Sequence, residues 1–242
     1  MARRGVTTAS EKAGRNTIDS SPVTTQAADL ELAKRRRKQI VDAAVHLFAR
    51  KGYFRTTMQQ IAKRAKISAG LIYHYASTKE DLLLLALLHV INTYREQVPS
   101  KLKKIEDPLE RFRTVHAAFC RVVAENLDAT VLVYRSTNSL PPEKRDLIKQ
   151  GEVETGGMVA EAIAACVEAK LFREVDVDLM TYEVLMNSHM WALKNWHFKQ
   201  RYDVDGYIDA SFDFLVRGMA TPKGLKRHLE LCAARGVTGT AG

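Results

Sequence analysis

Cysteine is scarce. Cys120, Cys166 and Cys232 are the three in 242 residues, far apart and odd in number, with no C-x-x-C spacing. That pattern excludes a disulfide framework and a thiolate zinc site, and it suits a reducing compartment. No long apolar run is present either. The longest, Leu82 to Leu88, is too short to span a bilayer, so no membrane partner is expected. Arg3 and Arg4 precede no apolar stretch of the kind a secretory signal needs. Gly-rich phosphate loops, a nucleophile elbow and metal-spaced His clusters are all missing. No catalytic residue, metal ligand or cofactor is therefore expected, and the chain does not read as an enzyme. Strand-like alternation is also missing, so the chain reads as all-α.

What is present is charge of one sign at one end. Residues 1–80 carry 16 Lys and Arg against 6 Asp and Glu; residues 81–242 carry 21 against 22. A basic segment attracts phosphate and releases counterions. Within it, TMQQIAKRAKISAGLIYHYASTK (57–79) reads as two short helices around a tight turn. Thr57 is an N-cap with Gln60 three residues on, a capping box. Met58, Ile61, Ala62 and Ala65 give one apolar face. Ser68 caps a second helix over 70–75, and Ser77 with Glu80 reads as a further capping box. Two helices about such a turn make a helix-turn-helix, whose second helix enters the major groove.

The segment from about Arg35 to Leu83, with KQIVDAAVHLFARKGYFRTTMQQIAKRA (38–65) and ISAGLIYHYASTKEDL (67–82), resembles the DNA-binding domain of the TetR family of bacterial transcriptional regulators. Three positions depart from the family pattern. Lys66 replaces the usual turn Gly, Ala69 a polar or basic residue, and Ala76 a bulky aromatic. The resemblance implies an N-terminal three-helix helix-turn-helix domain followed by a helical ligand-binding and dimerisation domain. It implies a cytoplasmic regulator, nucleoid-associated when bound, acting as a homodimer. The partners are a double-stranded DNA operator and a small-molecule effector, apolar or of acyl-CoA type. A repressor released from a palindromic operator is the reading; the alternatives are a structural DNA-binding protein of the same fold without an inducer, and a helical enzyme.

The expected organisation is a flexible tail over 1–32, the DNA-binding domain over 33–80, the ligand and dimer domain over 81–220, and a C-terminal tail over 221–242. In the tail, Arg3, Arg4 or Arg15 would reach a minor groove, although an idle tail is the simpler reading. Five consecutive basic residues, Lys34 to Lys38, open a first helix over 32–51 and sit badly with its dipole, which suggests phosphate. Thr57 and Lys79 suit phosphates; Gln59, Ser68, Tyr73 and His74 are the polar groups near the duplex; Ala69 and Gly70 offer only methyl contact or close approach. Tyr53 is a further phosphate candidate.

The fourth helix (78–98), ended by Pro99, is apolar nearly all round and would join the two domains. Further helices are expected from Asp107-Pro108 through Val123, then over 128–139, 143–170 (loosened by Gly156-Gly157), 177–200 and 205–219, with a short one near 225–234. The effector would be held by Phe119, Tyr134, Arg135, Asn138, Met158, Met186, His189, Met190 and Trp196: an apolar channel with a few polar anchors. Such Met and aromatic stripes equally suit a core or a dimer interface. Cations for a CoA head would come from Arg135, Lys194 or Arg121. Leu179, Tyr182, Met186, His189, Leu193 and Trp196 trace one stripe, with Tyr207, Ile208, Phe212, Leu215 and Val216 as its partners across or beside a two-fold axis.

Overall fold

The computed structural model describes residues 21–236, with side chains from 29 onward; Arg3, Arg4 and Arg15 lie outside the described residues. The chain divides into two compact units, Met1–Lys38 and Gln39–Gly242. In the first, the described side chains from 29 to 35 are exposed, and Glu31 accepts from Lys34 at 2.9 Å. The sites below lie in the second unit.

Among the described residues there are eleven α-helices and no strand, only an isolated bridge between Phe172 and Ala220. Helix α1 (Ser21–Lys51) starts well before the expected Leu32, so part of the segment read as a flexible tail is helical. Gly52, at φ +84°, ends it, as a C′ glycine does. The helix-turn-helix follows as α2 (Met58–Arg64) and α3 (Ala69–Tyr75). Thr57 Oγ1 accepts from the Gln60 amide at 3.2 Å, and Gln60 Oε1 from the Thr57 amide at 3.4 Å, so the capping box forms as the sequence requires. The next box is displaced by one residue. Thr78, not Ser77, caps α4 (Lys79–Leu102), and Asp81, not Glu80, is its partner. Both spacings satisfy the motif; the choice falls to the register in which Asp81 also meets Lys144 and Glu80 meets Tyr53.

Helix α4 also runs through Pro99 instead of stopping there. A proline three residues from a helix end removes one amide bond. The final carbonyl is satisfied from outside: Arg111 donates to the carbonyls of Leu102 and Ile105. Asp107 caps α5 (Pro108–Glu125), and α6 (Leu127–Ser136) runs into a 3-10 turn at Thr137–Ser139. Helix α7 (Pro142–Glu168) is continuous through Gly156-Gly157. Gly151 and Gly156 bring neighbours close instead of loosening the helix, while a Cβ at Gly157 would meet nothing within 4 Å. A Cβ at Gly156 would stand 3.4 Å from Leu185, and one at Gly151 only 2.9 Å from Ile91.

The segment expected as one helix over 177–200 is two, α8 (Val177–Leu193) and the single turn α9 (Asn195–Phe198), broken at Lys194. The bend lets Trp191 and Phe198 both pack on Tyr207, each at 5.1 Å between ring centres. Helices α10 (Val204–Met219) and α11 (Pro222–Ala234) complete the chain. Helix α11 docks on the loop before α8. Thr221 donates to the carbonyls of Lys170 and Leu171, and the α-carbon of Gly224 abuts Leu171 so closely that a Cβ would lie 1.9 Å from its carbonyl oxygen.

Two apolar clusters form. One gathers α1, α2, α3 and the first half of α4, and takes in Leu132, Leu140 and Ile148 from α6, the turn after it and α7. The other gathers the second half of α4 with α5, α7, α8, α10 and α11. Helix α4 belongs to both. Tyr207, Ile208, Phe212, Leu215 and Val216 are buried in the second cluster of their own subunit. They therefore do not face a partner; on α10 the large exposed apolar residue is Phe214, at 73%.

Candidate functional sites: a nucleic-acid face and a cavity

Every short helix of the helix-turn-helix is fixed at its N-terminus by a hydroxyl, because a seven-residue helix has little cooperative stability of its own. Ser68 Oγ accepts from the Leu71 amide at 3.1 Å. Ile72 buries completely, and Tyr73 and His74 are thereby turned outward. Thr57, Gln59, Ser68, Ala69, Gly70, Tyr73 and His74 are all exposed, on α2, α3 and their caps. Arg55, Lys63, Arg64 and Lys66 are exposed around them. Lys66 holds the turn at φ +55°, a conformation that glycine adopts without strain and lysine does not.

Two sequence-predicted phosphate contacts have internal duties. Lys79 Nζ donates to the carbonyls of Tyr53 and Phe54 at 3.2 and 3.4 Å and lies 4.5 Å above the Tyr53 ring. The Tyr53 hydroxyl donates to Glu80 at 2.7 Å. Burial and that carboxylate push the Tyr53 phenol well up, while the same bond holds Glu80 below the usual carboxylate range. Tyr53 is thus a buried strut between α1 and α4.

A second site lies where α4, α5, α6, α7 and α8 converge. It is a cavity of about 140 Å³. Its apolar wall includes Val90, Ile91, Phe119, Val133, Leu185 and Met186. Tyr94 stacks on Phe119 with ring centres 4.3 Å apart. The polar lining is Tyr94, Thr130, Tyr134, Glu152, Thr155, Tyr182 and His189, with no Lys or Arg among the described residues. The Tyr134 hydroxyl lies 2.6 Å from His189 Nδ1, and the Tyr94 hydroxyl 3.4 Å from its Nε2. Burial lowers the His189 pKa to about 4 and raises that of Tyr134 to about 12, so both are neutral at pH 7. Glu152 stands at the exposed rim, and desolvation raises its carboxyl above the usual range. Thr155 is spent on the Gly151 carbonyl at 2.8 Å, whereas buried Thr130 Oγ1 has no partner among the described residues.

Of the nine residues read as effector contacts, the cavity gathers Phe119, Tyr134, Met186 and His189. Arg135 faces a different recess, beside Phe48 and Tyr53 of the helix-turn-helix unit. Met158 faces a third, beside Pro99 and Arg111. Asn138 is exposed in the 3-10 turn, and Met190 and Trp196 are exposed on α8 and α9. These five follow helical phase: Arg135 is one residue past Tyr134 and so turns about 100° away. Among the proposed CoA cations, Arg121 is paired with Asp205 at 2.8 Å. Tyr94, Thr130 and Glu152 escaped the sequence reading, since no local pattern marks residues that meet only through tertiary packing. His116 and His189 do not pair. His116 is fully buried against Asn187 (3.2 Å) and Ser211 (3.4 Å), and burial lowers its pKa to about 4.

Residues 40–86 match the family model described as bacterial regulatory proteins, tetR family, and residues 106–219 match the tetracyclin repressor-like C-terminal domain. The HTH-type transcriptional regulator HbdR of Aromatoleum sp. (strain CIB) is 41% identical over 196 residues, covering 81% of this chain and 86% of that protein. Among solved structures, the transcriptional regulator FadR from Bacillus subtilis in complex with stearoyl-CoA superposes with a TM-score of 0.65 at 21% identity, covering 75% of this chain and 98% of that one. AibR in complex with isovaleryl coenzyme A and operator DNA superposes with a TM-score of 0.60 at 23% identity, over 75% and 96%.

Proposed function

The chain belongs to the tetR family of bacterial regulatory proteins, and from that premise we propose that it is a homodimeric repressor whose operator binding is released by a small acyl-thioester effector held in the α4–α8 cavity. Its DNA-binding residues are Thr57, Gln59, Ser68, Ala69, Gly70, Tyr73 and His74, with Lys79 holding the start of α4 behind them. A two-fold dimer sets two α3 helices about one turn of DNA apart, roughly 34–36 Å. The exposed stripe Leu179, Tyr182, Met186 and Met190 on α8, with Phe214 on α10, is the dimer surface.

One observation carries the regulatory reading. Helix α6 lends Thr130, Val133 and Tyr134 to the cavity, and from the same turns it lends Leu132 to the core of the helix-turn-helix. A ligand that moves α6 therefore acts on both places. It shifts the equilibrium between DNA-competent and released states by its differential affinity for them. The cavity favours this over a structural DNA-binding role, which needs none. The thioester class is supported by the effectors named for FadR and AibR.

The DNA face is tested with palindromic duplexes selected from a random library by the wild-type dimer. Tyr73→Ala/His74→Ala should lose specific binding, by at least a hundredfold in fluorescence anisotropy, with unchanged helical circular dichroism. Wild-type affinity in that variant would remove α3 from the interface.

A further inference from the structure

We infer that the acyl end entering the cavity is uncharged, no larger than a single six-membered ring, and bears a hydroxyl that Thr130 reads. The inference rests on the thioester reading above and narrows it.

Size comes first. The space is about 140 Å³, close to the roughly 150 Å³ of an engineered apolar cavity that takes up benzene. Its walls are already in contact: Tyr94 stacks on Phe119, and Tyr134 is held by His189. A ring or a branched short acyl group fills such a space. A long fatty chain does not fit unless these contacts part.

Charge comes second. The lining offers no Lys or Arg among the described residues, and His189 is neutral, so a carboxylate would enter without a counter-charge. A thioester removes that charge from the acyl end and leaves a neutral carbonyl.

The oxygen comes third. Thr130 is 2% exposed and its hydroxyl has no partner among the described residues, although it lines the cavity. Buried hydroxyls in folded proteins are otherwise paired. Among the described residues, Thr93, Thr137, Thr155 and Thr181 each return their proton to a backbone carbonyl one turn back. Thr130 does not. It is held ready to donate to, or accept from, a hydroxyl on the acyl end of the ligand.

Calorimetric titration of the full-length dimer with benzoyl-CoA, its three ring-hydroxylated counterparts, stearoyl-CoA and benzoate tests all three points. We expect benzoyl-CoA to bind, one hydroxylated isomer to bind about tenfold tighter, and stearoyl-CoA and benzoate to bind at least a hundredfold more weakly. In Thr130→Val, which keeps the side-chain shape, the hydroxylated isomer should lose about tenfold in affinity, more than benzoyl-CoA loses, so that the preference between them collapses. Stearoyl-CoA binding as tightly as benzoyl-CoA, benzoate doing so, or an unchanged preference in Thr130→Val would each overturn the inference and leave the thioester reading standing. If no thioester binds and an unrelated molecule releases the operator duplex, both readings fall.

Discussion

His116 is fully buried and His189 is largely enclosed by the cavity wall, and burial sets both pKa values near 4 against 6.5 in an exposed chain. Between those two values the unfolded chain binds protons that the folded chain refuses. Stability therefore holds above about pH 6.5 and falls as pH drops towards 4, with a slope of up to two protons from this pair. The urea midpoint should fall between pH 7 and pH 5, a range above the titration of the paired carboxylates Glu80 and Asp81, which their bonds to Tyr53 and Lys144 hold below their ordinary values against the effect of burial. His116→Gln/His189→Gln should flatten that dependence. An unflattened slope would place the proton uptake elsewhere. At this scale the sequence was half legible. Thr57 with Gln60 could be read as a cap from spacing alone. Whether Lys79 meets a phosphate or the Tyr53 carbonyl depends on where the chain turns back, and spacing does not carry that.

Among the elements, α11 depends most on a single atom that is not there. Its first turn lies against Leu171 because Gly224 has no side chain; a Cβ would stand 1.9 Å from a backbone oxygen that cannot yield. Gly224→Ala should undock α11, at a cost of about 2 kcal/mol or more. Hydrogen exchange should then quicken along 222–234 and leave α2 and α3 unchanged. Protection equal to wild type would mean that the Thr221 bonds alone hold the helix. Helix existence was plain from apolar periodicity from residue 32 onward, but not in the stretch from Ser21 that lengthens α1. Interruptions were not: Pro99, the strongest breaker by residue type, leaves α4 continuous because Arg111 serves its end, while Lys194, a good helix former, marks a real break set by Trp191 and Phe198 packing on Tyr207.

For the whole molecule, the dimer decides whether two recognition helices act as one. Phe214 is 73% exposed on a helix whose other large residues are buried. A charge there cannot enter an apolar interface without heavy desolvation. Phe214→Asp should sediment as a monomer at micromolar concentration and lose operator binding by two orders of magnitude or more, with its helical content intact. A dimer of wild-type stability would move the interface off α10. The fold class and the basic N-terminal third with its helix-turn-helix could be read from composition and motif. The cavity could not, since its walls come from five helices between Val90 and His189 and no stretch of sequence holds them together.

The placement of Leu132, Leu140 and Ile148 in the same core as α1 to α3 bears on how such regulators can be recombined. A hybrid made by splicing another protein's reading head at residue 80 inherits a head whose floor belongs to someone else. Its α4 would also begin at Asp81, which gives one oxygen to the Thr78 amide and the other to Lys144 at 2.6 Å. Swapping operator specificity between relatives therefore requires transplanting a surface of α6 and α7 along with the head, or exchanging only the exposed residues of α2 and α3 on an otherwise intact chassis.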